Sequence, residues 1–138
     1  MIRIAFTAIG VHHSFRDKPR LVKLIRRLGR DHGVREGSLA FVLMTDDALL
    51  AINERFLNKT YFTDVITFGG DQGPGLNGEV LISYHRTKEN ARAFSVSHQV
   101  ELRRVVLHGV LHLLGYNDGT PEERLRMTRA EDFYLARF

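Results

Sequence analysis

The chain has 138 residues, of which 43% are hydrophobic, 26% charged and 9% aromatic, and this length and composition predict one globular domain over residues 1–138. It contains no cysteine, which excludes disulfide scaffolds, thiolate zinc fingers, iron–sulfur clusters and cysteine nucleophiles. Any metal ion must therefore be bound by histidine and carboxylate side chains.

The formal net charge is +4 and the isoelectric point is near 9.8, a mild basic excess that favours a polyanionic partner. Most of the basic residues are arginine, whose planar guanidinium suits phosphate, although a GC-rich genome would give the same bias. The apolar run from Ile4 to Val11 is interrupted by Thr7 and Gly10 and is too short for a signal sequence or a membrane span. We therefore expect a cytoplasmic protein that does not contact a membrane.

The first half of the chain predicts two strands and two helices. Alternating residues at 2–6 predict a half-buried strand. Asp17 and Pro19 are typical of a helix start, and leucines and isoleucine then recur at helical spacing as far as Gly29. The continuous apolar run at 38–44 predicts a strand buried on both faces, and Thr45 predicts the N-cap of a second helix that ends near Leu57.

The second half predicts two further strands, at 63–68 and 78–83, separated by a loop at 69–78 that contains five glycines and one proline. The polar stretch at 84–94 is compatible with a helix. A longer apolar helix is predicted from Ser97 to Leu114, where Gly115 ends it, and a last helix follows Thr120. Together these elements predict an α+β fold, with a four-stranded mixed sheet and helices packed on it.

The strongest functional signal is the segment H-G-V-L-H-L-L-G-Y-N-D at 108–118. His108 and His112 lie four residues apart and share one helix face, so both imidazoles can reach a single ion. Gly115 allows the chain to leave the helix in a left-handed turn and return Asp118 over the same face. The spacing resembles that of zincin metal helices and predicts a metal site formed by His108, His112 and Asp118.

Two alternatives remain open for this segment. The histidines could be buried or interface imidazoles bonded to the main chain, and two histidines with a carboxylate also suit non-haem iron oxygenases, although those enzymes usually take their ligands from many-stranded barrels. Zincin proteases carry a glutamate after the first histidine as general base, whereas this chain has Gly109 there. Peptide hydrolysis by that route therefore has no base.

The same segment closely resembles the H-G-x-L-H-L-x-G-Y-D-H signature of the YbeY family of bacterial endoribonucleases. The stretch T-D-V-I-T-F at 63–68, preceded by Leu57 and Asn58, the stretch G-E-V-L-I-S at 78–83 and the pair Glu131 and Asp132 are also similar to that family. The similar motifs extend from about Thr45 to the C-terminus.

This resemblance implies a zinc-dependent endoribonuclease that acts on single-stranded RNA in small-subunit ribosomal RNA maturation and ribosome quality control. The implied partners are ribosomal RNA, the ribosome and small-subunit ribosomal proteins. His108 and His112 match the family's ligands, but the third histidine of the family is Asp118 here. Because an anionic ligand makes the site less positive, we expect looser zinc selectivity and a possible preference for manganese.

The family usually has an arginine between its L-N and T-D elements, where this chain has Lys59. Lys59 could supply a cation without bidentate phosphate geometry, and Arg55, one helical turn earlier, is an alternative; both could equally be solvated surface cations. Arg104 and Glu101 precede His108 by four and seven residues, so they could orient an imidazole, meet a phosphate or form a surface pair. The predicted catalytic residues are thus Lys59, Arg55 and Arg104.

Three functions are compatible with the sequence. The first is hydrolytic RNA cleavage, in which Tyr61, Phe62 or Tyr116 could stack on bases, although core packing is the ordinary role of Phe62. The second is a ribosome-assembly factor with a structural ion, for which a closed site with four protein ligands is expected. The third is a metallohydrolase that acts on another substrate, including peptides.

Overall fold

The computed structural model describes residues 1–70 and 73–138. In chain order its elements are β1 (Arg3–Ala8), α1 (Lys18–Asp31), β2 (Gly37–Met44), α2 (Asp46–Leu57), β3 (Val65–Gly69), β4 (Leu76–Ser83), α3 (Tyr84–Ala93), α4 (His98–Leu113) and α5 (Pro121–Leu135). Within the described ranges, none of the helices combines the length and hydrophobicity that a bilayer crossing requires.

The four strands form one mixed sheet in the order β1-β2-β4-β3. Strand β2 is parallel to both of its neighbours, and β3 pairs antiparallel with β4 at the edge. In the centre of the sheet, Phe41 of β2 is in register with Phe6 of β1 and with Val80 of β4. The predicted α+β fold with a four-stranded mixed sheet is confirmed.

Both faces of the sheet are covered by helices. One face carries Leu39, Phe41 and Leu43 of β2, which belong to the main core with residues of α1, α4 and α5. On the opposite face, Met44 of β2 packs in a smaller cluster with Leu49 of α2. Successive side chains of a strand point to opposite faces. The first face of β2 is fully buried, whereas on the second face Met44 is buried and Ala40 and Val42 are partly exposed. The predicted burial on both faces is therefore confirmed for one face only.

The helix starts agree with the sequence at three of four predicted caps. The hydroxyl groups of Thr45, Ser97 and Thr120 accept main-chain N–H bonds at the starts of α2, α4 and α5. Asp17 does precede helix α1, but the side-chain hydrogen bond predicted for it as an N-cap is wrong. Asp17 has a left-handed main chain with φ 54° and makes no side-chain cap bond, and its carboxylate lies 3.7 Å from Nη2 of Arg103 instead.

The glycine-rich loop is shorter than predicted. Strand β3 continues to Gly69, and β4 already begins at Leu76, which is 2% exposed and pairs with Gly37. The predicted loop at 69–78 thus overlaps both strands, because the pairing of β4 with β2 and of β3 with β4 stabilises residues whose composition favours a turn. Asp71 and Gln72, which belong to the predicted loop, lie outside the described residues.

Candidate metal centre

Helix α4 carries both predicted imidazole ligands and packs closely on the sheet at Gly109. A β-carbon at Gly109 would lie 2.7 Å from both γ-carbons of Val80 and 3.3 Å from Oγ1 of Thr67. Only a residue without a side chain allows this approach. The glycine that replaces the protease glutamate is therefore required by packing, and a side chain at this position would point into the sheet, away from any ion.

The end of α4 turns the chain back towards the two histidines. Gly115 has φ 102°, its N–H donates to the carbonyl of His112 at 3.0 Å, and the N–H of Tyr116 donates to the carbonyl of Leu111 at 2.9 Å. This bond pair is a Schellman motif, which requires a left-handed residue just after the helix. The predicted left-handed turn at Gly115 is confirmed, and it places Asp118 beside the imidazoles.

His108, His112 and Asp118 direct three ligand atoms at one point. The two Nε2 atoms are 3.0 Å apart, and Oδ2 of Asp118 lies 3.2 Å from Nε2 of His112 and 3.5 Å from Nε2 of His108. A tetrahedral zinc ion with bonds of about 2.0–2.1 Å would separate its ligand atoms by about 3.3 Å. The observed separations fit a single ion at this point, and the three residues are identified as a group able to hold a metal.

The far side of each imidazole is fixed by an acceptor. Nδ1 of His108 donates to Oε2 of Glu131 at 2.6 Å, and Nδ1 of His112 donates to the carbonyl of Tyr116 at 2.9 Å. These bonds assign the proton of each neutral ring to Nδ1 and leave the Nε2 lone pairs directed at the carboxylate of Asp118. Three electron-rich atoms facing one another repel unless a cation lies between them, so the residues present fit a divalent metal.

The surroundings of His108 favour positive charge. Burial would lower the pKa of this imidazole, but the hydrogen bond and charge of Glu131, together with the carboxylates of Asp118 and Asp64, outweigh burial and raise its pKa above the ordinary value. The same carboxylates would stabilise a metal ion bound at Nε2.

Arg104 contacts the carboxylate that holds His108, and it lines a pocket of about 290 Å³ together with His108 and Asp118. Its Nη1 donates to Glu131 at 3.2 Å and to Asp132 at 3.3 Å, and its Nε lies 3.7 Å from Oε1 of Glu101. The structure thus brings Arg104 to the carboxylate that holds His108, and its guanidinium is occupied by acidic side chains. Among the described residues, Oε1 of Glu101 has no hydrogen-bond partner, although Glu101 is only 2% exposed.

The three ligand atoms face an open cavity of about 480 Å³ between α4, β3 and the segment that follows α2. Lys59, Tyr61 and Asp64 line it together with His108, His112 and Asp118. Arg55 does not line this cavity, and its guanidinium lies over the ring of Phe56 at 5.3 Å. Of the three cations predicted as candidates for a phosphate contact, Lys59, Arg55 and Arg104, only Lys59 lines this cavity.

Sequence reasoning missed two residues that support the site. Asn53 is 1% exposed. Its main-chain carbonyl accepts from the N–H of Lys59 at 3.1 Å, and its side-chain amide donates to the carbonyl of Tyr61 at 2.9 Å. Asn53 therefore anchors the segment that bears Lys59 and Tyr61. A polar amide on the apolar stripe of α2 was the available signal. Glu131 was noticed only as part of a family motif, and nothing local indicated its bond to His108.

Comparisons with known proteins match the chain to one family. The family model Endoribonuclease YbeY matches residues 13–138, so the similarity begins well before Thr45. Endoribonuclease YbeY of Bacteroides thetaiotaomicron is 35% identical over 133 residues, which cover 96% of this chain and 97% of that protein. Endoribonuclease YbeY of Chlorobaculum parvum is 41% identical over 121 residues, which cover 88% and 86%.

The solution structure of TM1509 from Thermotoga maritima has the same fold, with a TM-score of 0.65 at 24% identity over 98% of this chain and 87% of that chain. The family match covers helix α4, which carries His108 and His112, the strands beside it and the helix that supplies Glu131. The chain belongs to the Endoribonuclease YbeY family.

Proposed function

We propose that this protein is a metal-dependent endoribonuclease that hydrolyses single-stranded segments of ribosomal RNA during maturation and quality control of the small ribosomal subunit. The observation that carries the proposal is the triangle of ligand atoms from His108, His112 and Asp118, which faces an open cavity large enough for a nucleotide. Family membership supplies the reaction class.

Zinc is the proposed ion. Two imidazole nitrogens and one carboxylate oxygen form a donor set that zinc accepts, and the separations of 3.0–3.5 Å suit tetrahedral coordination. Manganese is the alternative, because the carboxylate of Asp118 is a harder ligand than a third imidazole. When bound, the ion would supply Lewis acidity to phosphodiester hydrolysis.

The protein's own residues have distinct proposed roles. His108, His112 and Asp118 hold the ion, and Glu131 fixes the ring orientation and tautomer of His108. Arg104 is proposed as a positioning residue, because its ion pair with Glu131 stabilises that carboxylate.

Lys59 is proposed to contact the scissile phosphate. Its ammonium lines the cavity, where it would neutralise charge that develops in the transition state. Arg55, which does not line the cavity, would contact a flanking phosphate instead.

Tyr61 supports single-stranded RNA as the substrate. Its ring is 57% exposed on the wall of the cavity, and Nζ of Lys59 lies 5.8 Å from the ring centre. An exposed aromatic ring beside a cation is the arrangement on which unpaired bases stack while the backbone is neutralised. Paired bases cannot reach such a ring because their faces are already stacked within the duplex.

The two other functions are less compatible with the site. A structural ion predicts a closed shell of four protein ligands, whereas the identified group consists of three residues, all within the described ranges, beside an open cavity. A zincin-type peptidase needs a base at the position of Gly109, where packing against Val80 leaves no room for a side chain.

Cleavage of a labelled single-stranded RNA and of a hairpin of the same length tests the proposal. We expect metal-dependent cleavage of the single-stranded RNA, loss of cleavage with a chelator, recovery with zinc or manganese, and no cleavage by His112→Ala. Activity that survives both the chelator and His112→Ala would contradict the proposal. Casein cleavage without RNA cleavage would favour a peptidase instead.

The ribosomal context, with ribosomal RNA and small-subunit proteins as partners in the cytoplasm, is the finer part of the proposal. It is supported by family membership and by the net charge of +4. Co-sedimentation of the His112→Ala variant with purified small and large subunits tests it, and we expect association with the small subunit. Equal retention on both subunits, or on neither, would contradict this assignment.

A further inference from the structure

Helix α1 concentrates the positive charge of the molecule. Its 14 residues include six basic residues and one acidic residue. Because the whole chain has a net charge of +4, the residues outside α1 include one more acidic than basic residue. A genomic bias towards arginine would act along the entire chain, so it does not explain why the excess is confined to one helix.

The basic residues of α1 form a stripe on its outer face. Arg20, Lys23, Arg27 and Arg30 recur at intervals of three and four residues, which places them along one side of a helix over about 15 Å. All four are exposed. The apolar residues of α1 form the opposite face, and they are 3% exposed or less: Leu21, Leu24, Ile25 and Leu28.

The stripe borders a groove against the end of α5. The groove has a volume of about 300 Å³, and its lining contains five basic side chains and no acidic one: Arg20, Lys23, Arg27, Arg30 and Arg137, together with Leu24 and Phe138. None of these residues lines the cavity beside His108, His112 and Asp118. The groove is therefore a separate concave surface of positive charge.

Aromatic rings hold two of the guanidinium groups in place. Arg20 lies over the ring of Phe138 at 4.2 Å, and Arg137 lies over the ring of Phe133 at 3.3 Å. Each of these guanidinium groups also donates one N–H to a main-chain carbonyl at 2.6 Å, Arg20 to Phe138 and Arg137 to Phe133. Stacking and this bond restrain the guanidinium, and its remaining N–H groups can meet an anion. Arg27 has an acidic neighbour, Asp31, at 3.9 Å, a weak ion pair between two exposed side chains that a phosphate could displace.

We propose that this groove is a docking site for the phosphodiester backbone of RNA, which holds a flank of the RNA while the proposed metal site cleaves another, unpaired segment. The identity of the polyanion rests on the proposed function. An anionic membrane fits less well, because the apolar face of α1 is buried in the core and cannot insert into lipid. Arginines recurring along a groove suit the repeated phosphates of a nucleic acid.

Binding of RNA by a variant with a neutral stripe tests the proposal. Lys23→Gln, Arg27→Gln and Arg30→Gln would be combined in the His112→Ala background, which prevents cleavage during the measurement. The matched control combines Arg92→Gln, Arg126→Gln and Arg129→Gln, three exposed residues outside α1 that change the net charge equally. Thermal unfolding would verify that both variants fold.

The probe is a labelled hairpin RNA with single-stranded flanks. We expect the stripe variant to bind at least tenfold more weakly at low salt, and the slope of log affinity against log salt concentration to fall by about 2, because each lost phosphate contact removes about 0.7. The control variant should retain most of the affinity and slope. Equal losses in both variants, or no loss in the stripe variant, would overturn the proposal.

Two further experiments distinguish RNA docking at this groove from a role in cleavage and from binding of another polyanion. With the metal site intact, the stripe variant should still cleave a short single-stranded RNA that fills only the cavity, so loss of that cleavage would contradict a separate docking role. If the wild type cleaves no RNA but the stripe still governs RNA binding, the proposed function fails and the docking site stands. Stripe-dependent binding to anionic vesicles or polyglutamate, without stripe-dependent RNA binding, would overturn RNA as the occupant.

Discussion

We expect the metal preference of the proposed site to depend on Asp118. Its carboxylate takes the place of the third histidine in the family signature, and its side chain is 46% exposed. Compared with a third imidazole, an anionic oxygen donor reduces the net positive charge of the occupied site and makes its preference for zinc over harder ions smaller.

We therefore predict that Asp118→His raises the affinity for zinc relative to manganese. Competition titrations with a chromogenic chelator would measure the ratio of the two dissociation constants, with Asp132→His as a control at an exposed carboxylate. An unchanged ratio in Asp118→His would show that this side chain is not a ligand.

Glu131 controls the orientation of His108 from another helix. Replacement by glutamine keeps an acceptor for Nδ1 of His108 but removes the charge that strengthens the 2.6 Å bond. Because changes to groups that hold metal-binding histidines cost about 10–100-fold in affinity, we predict that Glu131→Gln weakens metal binding by at least about tenfold.

Asp132→Asn is the matched control for this variant. Asp132 also pairs with Arg104, but it is an exposed neighbour that does not contact His108. Isothermal titration of both variants with zinc would compare them. Equal affinities would mean that the charge of Glu131 is irrelevant to the ion.

Glu101 makes the metal-free protein sensitive to pH. Burial raises the pKa of its carboxyl to about 7; Arg104 opposes this shift, whereas Asp64 and Glu131 add to it. Between the ordinary value of 4.5 and about 7, the folded protein retains a proton that the unfolded chain has lost. The contribution of Glu101 to stability is therefore present at low pH and is lost as the pH rises through this window.

We predict that Glu101→Gln removes the loss of stability that occurs as the pH rises from 4.5 to about 7. Relative to the variant, the wild type should lose up to about 1.4 kcal/mol of unfolding free energy per pH unit within the window. Urea unfolding in chelator at several pH values would measure the difference. A difference that is constant with pH, or that grows in favour of the wild type, would contradict the assignment.

Residues that act within one short segment could be predicted from the sequence. His108, His112 and Asp118 belong to 11 consecutive residues, and the helix repeat and the glycine turn determine their relative positions. Glu131 follows His108 by 23 residues and reaches it by the packing of α5 on α4. No local pattern encodes that contact.

Among the elements, α4 determines where the metal centre lies relative to the sheet. Its approach depends on Gly109, because an added β-carbon would meet the side chain of Val80 at 2.7 Å. In an exposed helix, replacement of glycine by alanine would stabilise the protein by about 1 kcal/mol. At this contact, overpacking should reverse that sign.

We predict that Gly109→Ala lowers the free energy of unfolding by about 1–3 kcal/mol. Gly119→Ala is the control, because a β-carbon there would meet Oε1 of Glu123 at an ordinary 3.6 Å. Denaturant unfolding of the metal-free variants would provide both values. A stabilised Gly109→Ala would mean that α4 does not pack on β4 as described.

Helix starts could be predicted where the capping hydrogen bond lies within the first turn of the helix. They could not be predicted where a contact with another element replaces that bond. Thr45, Ser97 and Thr120 cap their helices as predicted, since each hydroxyl bonds within its own first turn. Asp17 instead adopts a left-handed conformation beside Arg103 of α4. Phe56 has the spacing of a core residue but is 62% exposed, because α2 packs through Leu49 and Asn53.

At the scale of the whole molecule, the sequence predicted the fold class but not the strand order. The pairing of β2 with β4 joins strands separated by α2 and β3, and the edge position of β3 follows from that pairing. Such contacts between distant segments are not encoded by local periodicity. The concentration of charge on α1 is visible in the sequence, whereas the groove beside α5 depends on how the helices pack.

We propose that three side chains hold one catalytic ion beside an open cavity. Anomalous diffraction from crystals of the zinc-loaded protein would locate this ion. We expect a single strong peak bound by Nε2 of His108, Nε2 of His112 and an oxygen of Asp118 at about 2.0–2.2 Å, with a fourth, non-protein ligand on the cavity side. A peak elsewhere, a fourth protein ligand that closes the site, or an Asp118 carboxylate turned away from the ion would contradict it.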